Sequence, residues 1–503
     1  MVRPTPKKLE LLKRLLQEKG IQAAEAPAAI PARGTDGDRP LSLGQERLWF
    51  LDQLEPDTSL YNDALVLTIR GVELDPALFR AALQEIVRRH SVLRATYHRG
   101  AAGPVQRVHE IARFGAELPF EVQDLEGEAD ARERSARLFL QDAQGPFALD
   151  RLPLLRARLV RVAPQEWRFG LAMHHIVSDG VSYGIVYREL GALLPALAAG
   201  KPSPLGELPL QFSDYARWER ERMTAERLEE GLAFWKRTLA GPLPRLAWPA
   251  RAATPRQRGA YHRFRFPDAL YAALTDFCRR EHVTSNWVLV AAYLAFLHVL
   301  TGQEDVRIGN PSSTRKHKDL ENLVGFFVQT VILRVDLSGN PTFRELLART
   351  RRTALEAARY EEVPLDRIVQ ALRSSRSEAE PPLIQAWIAP MKDLMPVLEL
   401  PGATSSYEIV DGRSARFELA LILDEARGGV SAFFEYDTDL FDPETIERFA
   451  ERTMLILRRA VDHPETTLQL LRETVGTAPA ASGPRARGLE SARRRIVEGR
   501  STP

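Results

Sequence analysis

The sequence has one cysteine, Cys278, in 503 residues. An internal disulfide is therefore impossible and a multi-cysteine metal site is excluded. Its setting, Leu274-Thr275-Asp276-Phe277-Cys278, reads as a helix interior, which suits a buried small residue better than a nucleophile. Charge of one sign is also lacking. Lys plus Arg number 69 and Asp plus Glu 67, a net of +2. That balance gives no reason to expect nucleic acid or a membrane as the main partner. Long apolar runs are missing too. The longest, Trp287 to Leu297, falls well short of the roughly 20 residues that span a bilayer. The N-terminus is charged and has no apolar segment of the secretory kind, so a cytoplasmic protein is expected.

What is present is ordinary for a globular protein, with 44% hydrophobic and 27% charged residues. The length exceeds one ordinary core, so two lobes of similar size are expected. Lys7 to Ile21 carries leucines at helical spacing, and Ala23 to Arg39 is an Ala/Pro/Gly/Asp linker, giving an N-terminal segment over 1–39. One lobe is expected over 40–215 and a second over 216–475. From Thr477 the chain turns to Ala, Pro, Gly, Ser and Arg, so a disordered tail is expected over 476–503.

The most informative stretch is Met173-His174-His175-Ile176-Val177-Ser178-Asp179-Gly180. Before it, Trp167, Phe169, Leu171 and Met173 alternate with other residues, the pattern of a half-buried strand. Asp179-Gly180 reads as a turn. After it, Ile185, Val186, Leu190, Leu193 and Leu194 recur at helical spacing. Neighbours on a strand face opposite ways, so His174 and His175 are poorly placed to hold one metal ion together, and no metal site is expected. One of them at a strand end is well placed for proton transfer at neutral pH. Two structural histidines are the ordinary reading of such a pair.

His-His-x-x-x-Asp-Gly resembles the motif of nonribosomal peptide synthetase condensation domains, within the chloramphenicol acetyltransferase-like superfamily. Six further strings agree, in order. Ser42-Leu43-Gly44-Gln45-Glu46-Arg47-Leu48-Trp49 is similar to the family's first signature. Arg89-His90-Ser91-Val92-Leu93-Arg94-Ala95-Thr96-Tyr97 is similar to its second. Phe212-Ser213-Asp214-Tyr215-Ala216-Arg217-Trp218 resembles the fourth, with Phe212 for tyrosine. Ile308-Gly309-Asn310-Pro311 with Arg315, then Gly325-Phe326-Phe327-Val328-Gln329-Thr330, and finally Tyr360 to Val369 complete the set. Gln329 stands where the family has asparagine, and Tyr360 where it often has histidine.

The resemblance implies an α/β fold, two-layer α+β, built as two chloramphenicol acetyltransferase-like lobes meeting in a V with a tunnel at the seam. It implies amide or ester formation by attack of an acceptor amine or hydroxyl on a carrier-bound acyl thioester. The 4'-phosphopantetheine arm would arrive on donor and acceptor carrier proteins, with nothing bound by the chain itself and a monomer expected. His175 would orient the acceptor and take its proton, with His174 in support. Asp179 would be an ion-pair strut, with Arg315 as first candidate partner and Arg94 as second. Gly180 would let a backbone N–H approach the oxyanion or the arm. Val181, Ser182, Tyr183 and Gln329 would line the tunnel. An epimerisation domain, a stand-alone acyltransferase using coenzyme A thioesters and a non-catalytic carrier-binding module are the alternatives. A heterocyclising domain is disfavoured because no motif histidine is replaced by aspartate.

Overall fold

The structure is a computed structural model that describes residues 29–476, apart from 33, 35–36, 102, 113–117, 250–257, 374–381, 393–397 and 427. The helix expected over Lys7 to Ile21 and the tail from Thr477 lie outside the described residues. The first half contributes β1 (Asp38–Pro40), β2 (Asn62–Arg70), β3 (Ala95–Gly100), β4 (Gly103–Val108), β5 (Phe120–Asp124), β6 (Leu155–Ala163) and β7 (Glu166–His174). The second contributes β8 (Gly259–Arg265), β9 (Asp305–Ser313), β10 (Val328–Asp336), β11 (Ala386–Lys392), β12 (Thr404–Ile409), β13 (Leu419–Ala426) and β14 (Gly429–Asp437). They form a small sheet β1-β4-β3, a sheet β12-β2-β7-β6-β5 and a sheet β10-β9-β11-β13-β14-β8.

The two lobes are not simply consecutive. Strand β12, from the second half, pairs antiparallel with β2 from Thr404↔Arg70 to Ile409↔Leu65 and so extends the first lobe's sheet. The expected cut at 215/216 falls inside the helix Phe212–Arg222. The end of the expected linker is ordered as β1, which pairs with β4.

Strand β7 is the spine of the first lobe. Its alternation predicts a half-buried strand, yet every residue from Glu166 to His174 is buried. It lies mid-sheet, and both faces are covered. Phe169 meets Phe79 at 4.9 Å. Phe79 lies on the helix Pro76–Arg89, which Asp75 caps and which turns Phe79, Ala82, Leu83, Ile86 and Val87 inward. On the other face the helix Ala131–Gln144 brings Phe139 against Gly170, where an added Cβ would stand 2.3 Å from the ring.

The second lobe is organised around the helix Ser285–Thr301, buried continuously from Val288 to Leu300 and ended by Gly302 at φ 71°. No single helix among the described residues is long and apolar enough to cross a membrane. Cys278 is half-buried, and burial pushes its thiol up to about 11. Strand β9 runs on to Ser313, past the turn expected at Pro311, and Leu323 to Phe327 is not strand, since β10 begins at Val328.

The contact between Gly170 and Phe139 makes the first prediction. Gly170→Ala overfills a site on the buried length of β7 and should cost about 1–3 kcal/mol. Denaturant unfolding measures this; wild-type stability would show that Phe139 yields freely.

Candidate active site

Strand β7 ends at His174, a short 3₁₀ turn spans His175–Val177, and the helix Gly180–Ala198 follows. Asp179 and Gly180 are therefore the N-cap and first residue of that helix, not the turn expected from sequence. Asp179 accepts from Ser182 N–H at 2.8 Å, while its own N–H donates to Ser182 Oγ at 3.2 Å, a reciprocal capping box.

The two histidines part company at the strand end. His174 is sealed, 2% exposed. Its Nδ1 accepts from Ile176 N–H at 3.1 Å, so the ring braces the 3₁₀ turn. Burial, with His175 beside it, pushes the His174 pKa down to about 3, and the ring is neutral. His175 keeps 16% of its side chain exposed. Its backbone N–H donates to Tyr61 O at 2.7 Å. Its ring meets the edge of Phe326 from the second lobe, with centroids 4.7 Å apart. Nδ1 lies 3.0 Å from Asp63 Oδ2, in ion-pair range but off the line of an ideal hydrogen bond.

Asp63 also pairs with Arg416, which donates from Nε to Leu60 O at 3.1 Å. Burial alone would raise the Asp63 carboxyl. Arg416 and His175 outweigh it and hold the group well below the usual carboxylate range.

Asp179 and Arg315 form the predicted strut. Arg315 Nη2 lies 3.0 and 3.1 Å from the two carboxylate oxygens, and both side chains are almost fully buried. Phe327 N–H donates to Asp179 at 3.2 Å, Arg315 Nη1 donates to Leu320 O at 2.9 Å, and the guanidinium stacks 4.0 Å over Phe327. Leu320 and Phe327 belong to the second lobe and Asp179 to the first, so the pair crosses the seam. Arg94 is not part of it. Its guanidinium donates to His109 O instead, because its 3₁₀ turn leads into β3 rather than toward the motif.

The expected tunnel residues divide. Ser182 is fully buried, donating to Asp179 at 2.7 Å and to Gly325 O at 3.1 Å, so it belongs to the strut and faces no open channel. Tyr183 is 1% exposed and donates to Asp63 O at 2.6 Å, bracing β2 from below. Gly180 and Val181 are half-buried. Gln329 is buried on β10, opposite Ser312. Tyr360 stacks on Phe234 at 4.4 Å and donates to Glu230 at 3.0 Å.

The other signatures buttress the turn. Gln45 donates to Ile176 O at 3.0 Å and to Tyr97 OH at 2.9 Å, joining the first two signatures to the histidine motif. Ser42 caps the helix that carries Gln45. Arg89 and His90 both reach Glu189 on the motif helix, at 3.0 and 3.1 Å. His90 Nδ1 accepts from Val324 N–H at 3.3 Å, a second link across the seam.

A family model described as "Condensation domain" matches residues 35–474. The chain belongs to the condensation domain family. Chondramide synthase cmdD of Chondromyces crocatus is 38% identical over 429 residues, covering 84% of this chain and 11% of that protein. The chain thus spans a small part of the curated relatives it matches. Among solved structures, the X-domain from teicoplanin biosynthesis aligns with TM-score 0.75 at 26% identity, covering 88% of this chain and 99% of the other. The first condensation domain of the calcium-dependent antibiotic synthetase, in complex with a substrate analogue, aligns with TM-score 0.74 at 20% identity, covering 87% and 99%. The lobes of this condensation domain are thus the acetyltransferase-like pair that its motifs led one to expect.

Asp63, Arg416 and Phe326 escape a reading of the sequence as site residues. The available signal is an aspartate opening an otherwise apolar strand, Asp63-Ala64-Leu65-Val66-Leu67. Such a charge needs a partner, but nothing in the order of residues connects position 63 to position 416.

Asp179→Ala strands Arg315 in a buried setting and should cost about 3–5 kcal/mol in denaturant unfolding; a loss below about 1 kcal/mol, the range of exposed pairs, would show the strut is dispensable. His174 binds a proton near the ordinary 6.5 when unfolded and near 3 when folded. Between those values the unfolded state holds the extra proton, so stability falls as pH drops from 6.5 toward 3. His174→Asn, which keeps an acceptor for Ile176 N–H, should flatten that part of the stability profile, and an unchanged slope would contradict the neutral ring.

Proposed function

We propose that this condensation domain joins a carrier-bound acyl or aminoacyl thioester to an acceptor amine or hydroxyl, with His175 at the reacting centre. The observation that carries this reading is a run of touching side chains at the seam that stay partly open. His175 keeps 16%, Asp63 25% and Arg416 27% of their side-chain surface. The sealed twin His174 lies one residue away. An imidazole reachable from the seam and fixed on the other side is suited to meeting a reactant delivered from outside.

The acceptor nitrogen or oxygen attacks the thioester carbonyl carbon. The new C–N or C–O bond forms, the C–S bond breaks, and the acceptor's proton ends on the departing thiol. His175 holds the acceptor by a hydrogen bond and takes its proton as the bond forms. Orientation of two tethered reactants contributes as much as the proton transfer. The half-buried N-terminus of the helix at Gly180 and Val181 offers backbone N–H groups toward the developing oxyanion. His174, Asp179, Arg315 and Ser182 hold the motif in shape without touching the reactants.

Donor and acceptor carrier proteins bearing 4'-phosphopantetheine are the partners this reading requires, and the arm is substrate rather than resident cofactor. A cytoplasmic assembly line is the setting that fits, with the chain working as a single copy.

His175→Ala should fold like wild type by circular dichroism and thermal unfolding while product formation falls about 10²–10⁴-fold. The readout is mass spectrometry of loaded carriers. Full turnover by this variant would remove the catalytic role. A structural relative of this chain, the teicoplanin X-domain, is known in complex with OxyB. If wild type turns over no loaded carrier pair and still binds carriers, a recruiting role replaces the catalytic one.

A further inference from the structure

We propose that Asp63 is the positioning residue for His175, and that Arg416 makes this positioning depend on the two lobes being seated together. This rests on reading His175 as the group that meets the acceptor. The placement comes from the sheet. Strand β2 pairs antiparallel with β7, with Asn62 opposite His174 and Asp63 opposite Met173. Tyr61 O then accepts the His175 N–H at 2.7 Å. The strand that holds the backbone of the motif therefore also delivers a carboxylate to its ring.

A carboxylate only accepts. Asp63 Oδ2 at 3.0 Å from Nδ1 therefore calls for the proton on Nδ1, which leaves the Nε2 lone pair free on the far side of the ring. Without this neighbour the two neutral tautomers compete, and one of them presents N–H where a base is needed. Phe326 packs its edge against the ring, so rotation is limited from the other lobe as well.

The second oxygen of Asp63 is held by Arg416, which comes from the segment leading into β13. Arg416 is in turn fixed by its Nε on Leu60 O, and its backbone N–H donates to Glu435 at 2.8 Å. Glu435 on β14 is buried, and so is its neighbour in the network, Tyr261 on β8, where Arg416 and Asp63 act on both by charge. The charged and titratable groups gathered around His175 are thus Asp63 from β2, His174 from β7, and Arg416 from the second lobe, with Glu435 and Tyr261 behind them. A shift of one lobe against the other would pull Asp63 between Arg416 and the imidazole.

The test combines a spectroscopic and a kinetic readout on the full chain. Nitrogen-15 histidine NMR, assigned with His175→Gln, reports the tautomer without any substrate. Wild type should show Nδ1–H. Asp63→Asn should show a mixed or Nε2–H ring, and kcat with loaded carriers should fall roughly 10- to 100-fold while both KM values hold. Asp63→Glu should recover part of kcat. Should Asp63→Asn fail to fold around an unpaired Arg416, the double variant D63N/R416Q removes both charges and is read in the same way. A wild-type tautomer with wild-type kcat, or a loss confined to KM, overturns the assignment. If wild type itself forms no product with the carriers tried, the NMR result alone decides the role of Asp63, and the failure belongs to the condensation reading.

Discussion

Arg315 reaches out of the second lobe and closes on Asp179 at the start of the motif helix. Both groups are nearly removed from water, so each is tolerable only because the other is present. The pair does not stand alone. Ser182, Gly325, Phe327 and Leu320 complete its hydrogen bonds, and the ring of Phe327 covers the guanidinium. The motif helix is thereby pinned to the loop between β9 and β10. Everything at the seam takes its position from that clasp, because the 3₁₀ turn bearing His175 is the link between β7 and this helix. A contact that joins lobes and caps a helix in one step explains why the aspartate lies four residues beyond the second histidine.

Adjacent histidines end in different worlds because a strand alternates its faces and then stops. His174 is the last residue of β7 and inherits its buried surroundings. His175 is the first residue past the pleat, where the chain turns along the seam. The same chemistry is thus neutral scaffolding in one residue and an accessible imidazole in the next. Around them, Gln45 and Tyr97 hold the carbonyl of Ile176, so the turn is clamped from both of the earlier signatures.

Much of this was legible in the sequence. The hairpin of β6 and β7, the helix opened by Pro76 and the helix Ser285–Thr301 follow from periodicity and capping. The Asp179–Arg315 pair was readable through the order of the signatures, since Arg315 stands just past a strand that returns to the motif. Other features were not readable for physical reasons. The full burial of β7 depends on the helix Ala131–Gln144 lying over its second face, which alternation along one strand cannot report. The transfer of β12 to the first lobe is a pairing between segments far apart in the chain, visible only in register. Ser182 looked like a tunnel residue by position and proved to be part of the strut. Asp63 and Arg416 meet only because the lobes do.

The seam is therefore a place where packing, charge and access have been divided among neighbouring groups. Condensation domains need two tethered reactants to meet, and this one offers a single open imidazole between two lobes held by buried ion pairs. The most direct measurement uses a carrier whose phosphopantetheine arm ends in a haloacetyl group, an electrophile set where the thioester carbonyl would be. After incubation with the domain, peptide mass spectrometry locates the alkylated side chain. The account predicts the label on His175. A label confined to other side chains, with His175 untouched while the carrier is bound, would contradict it.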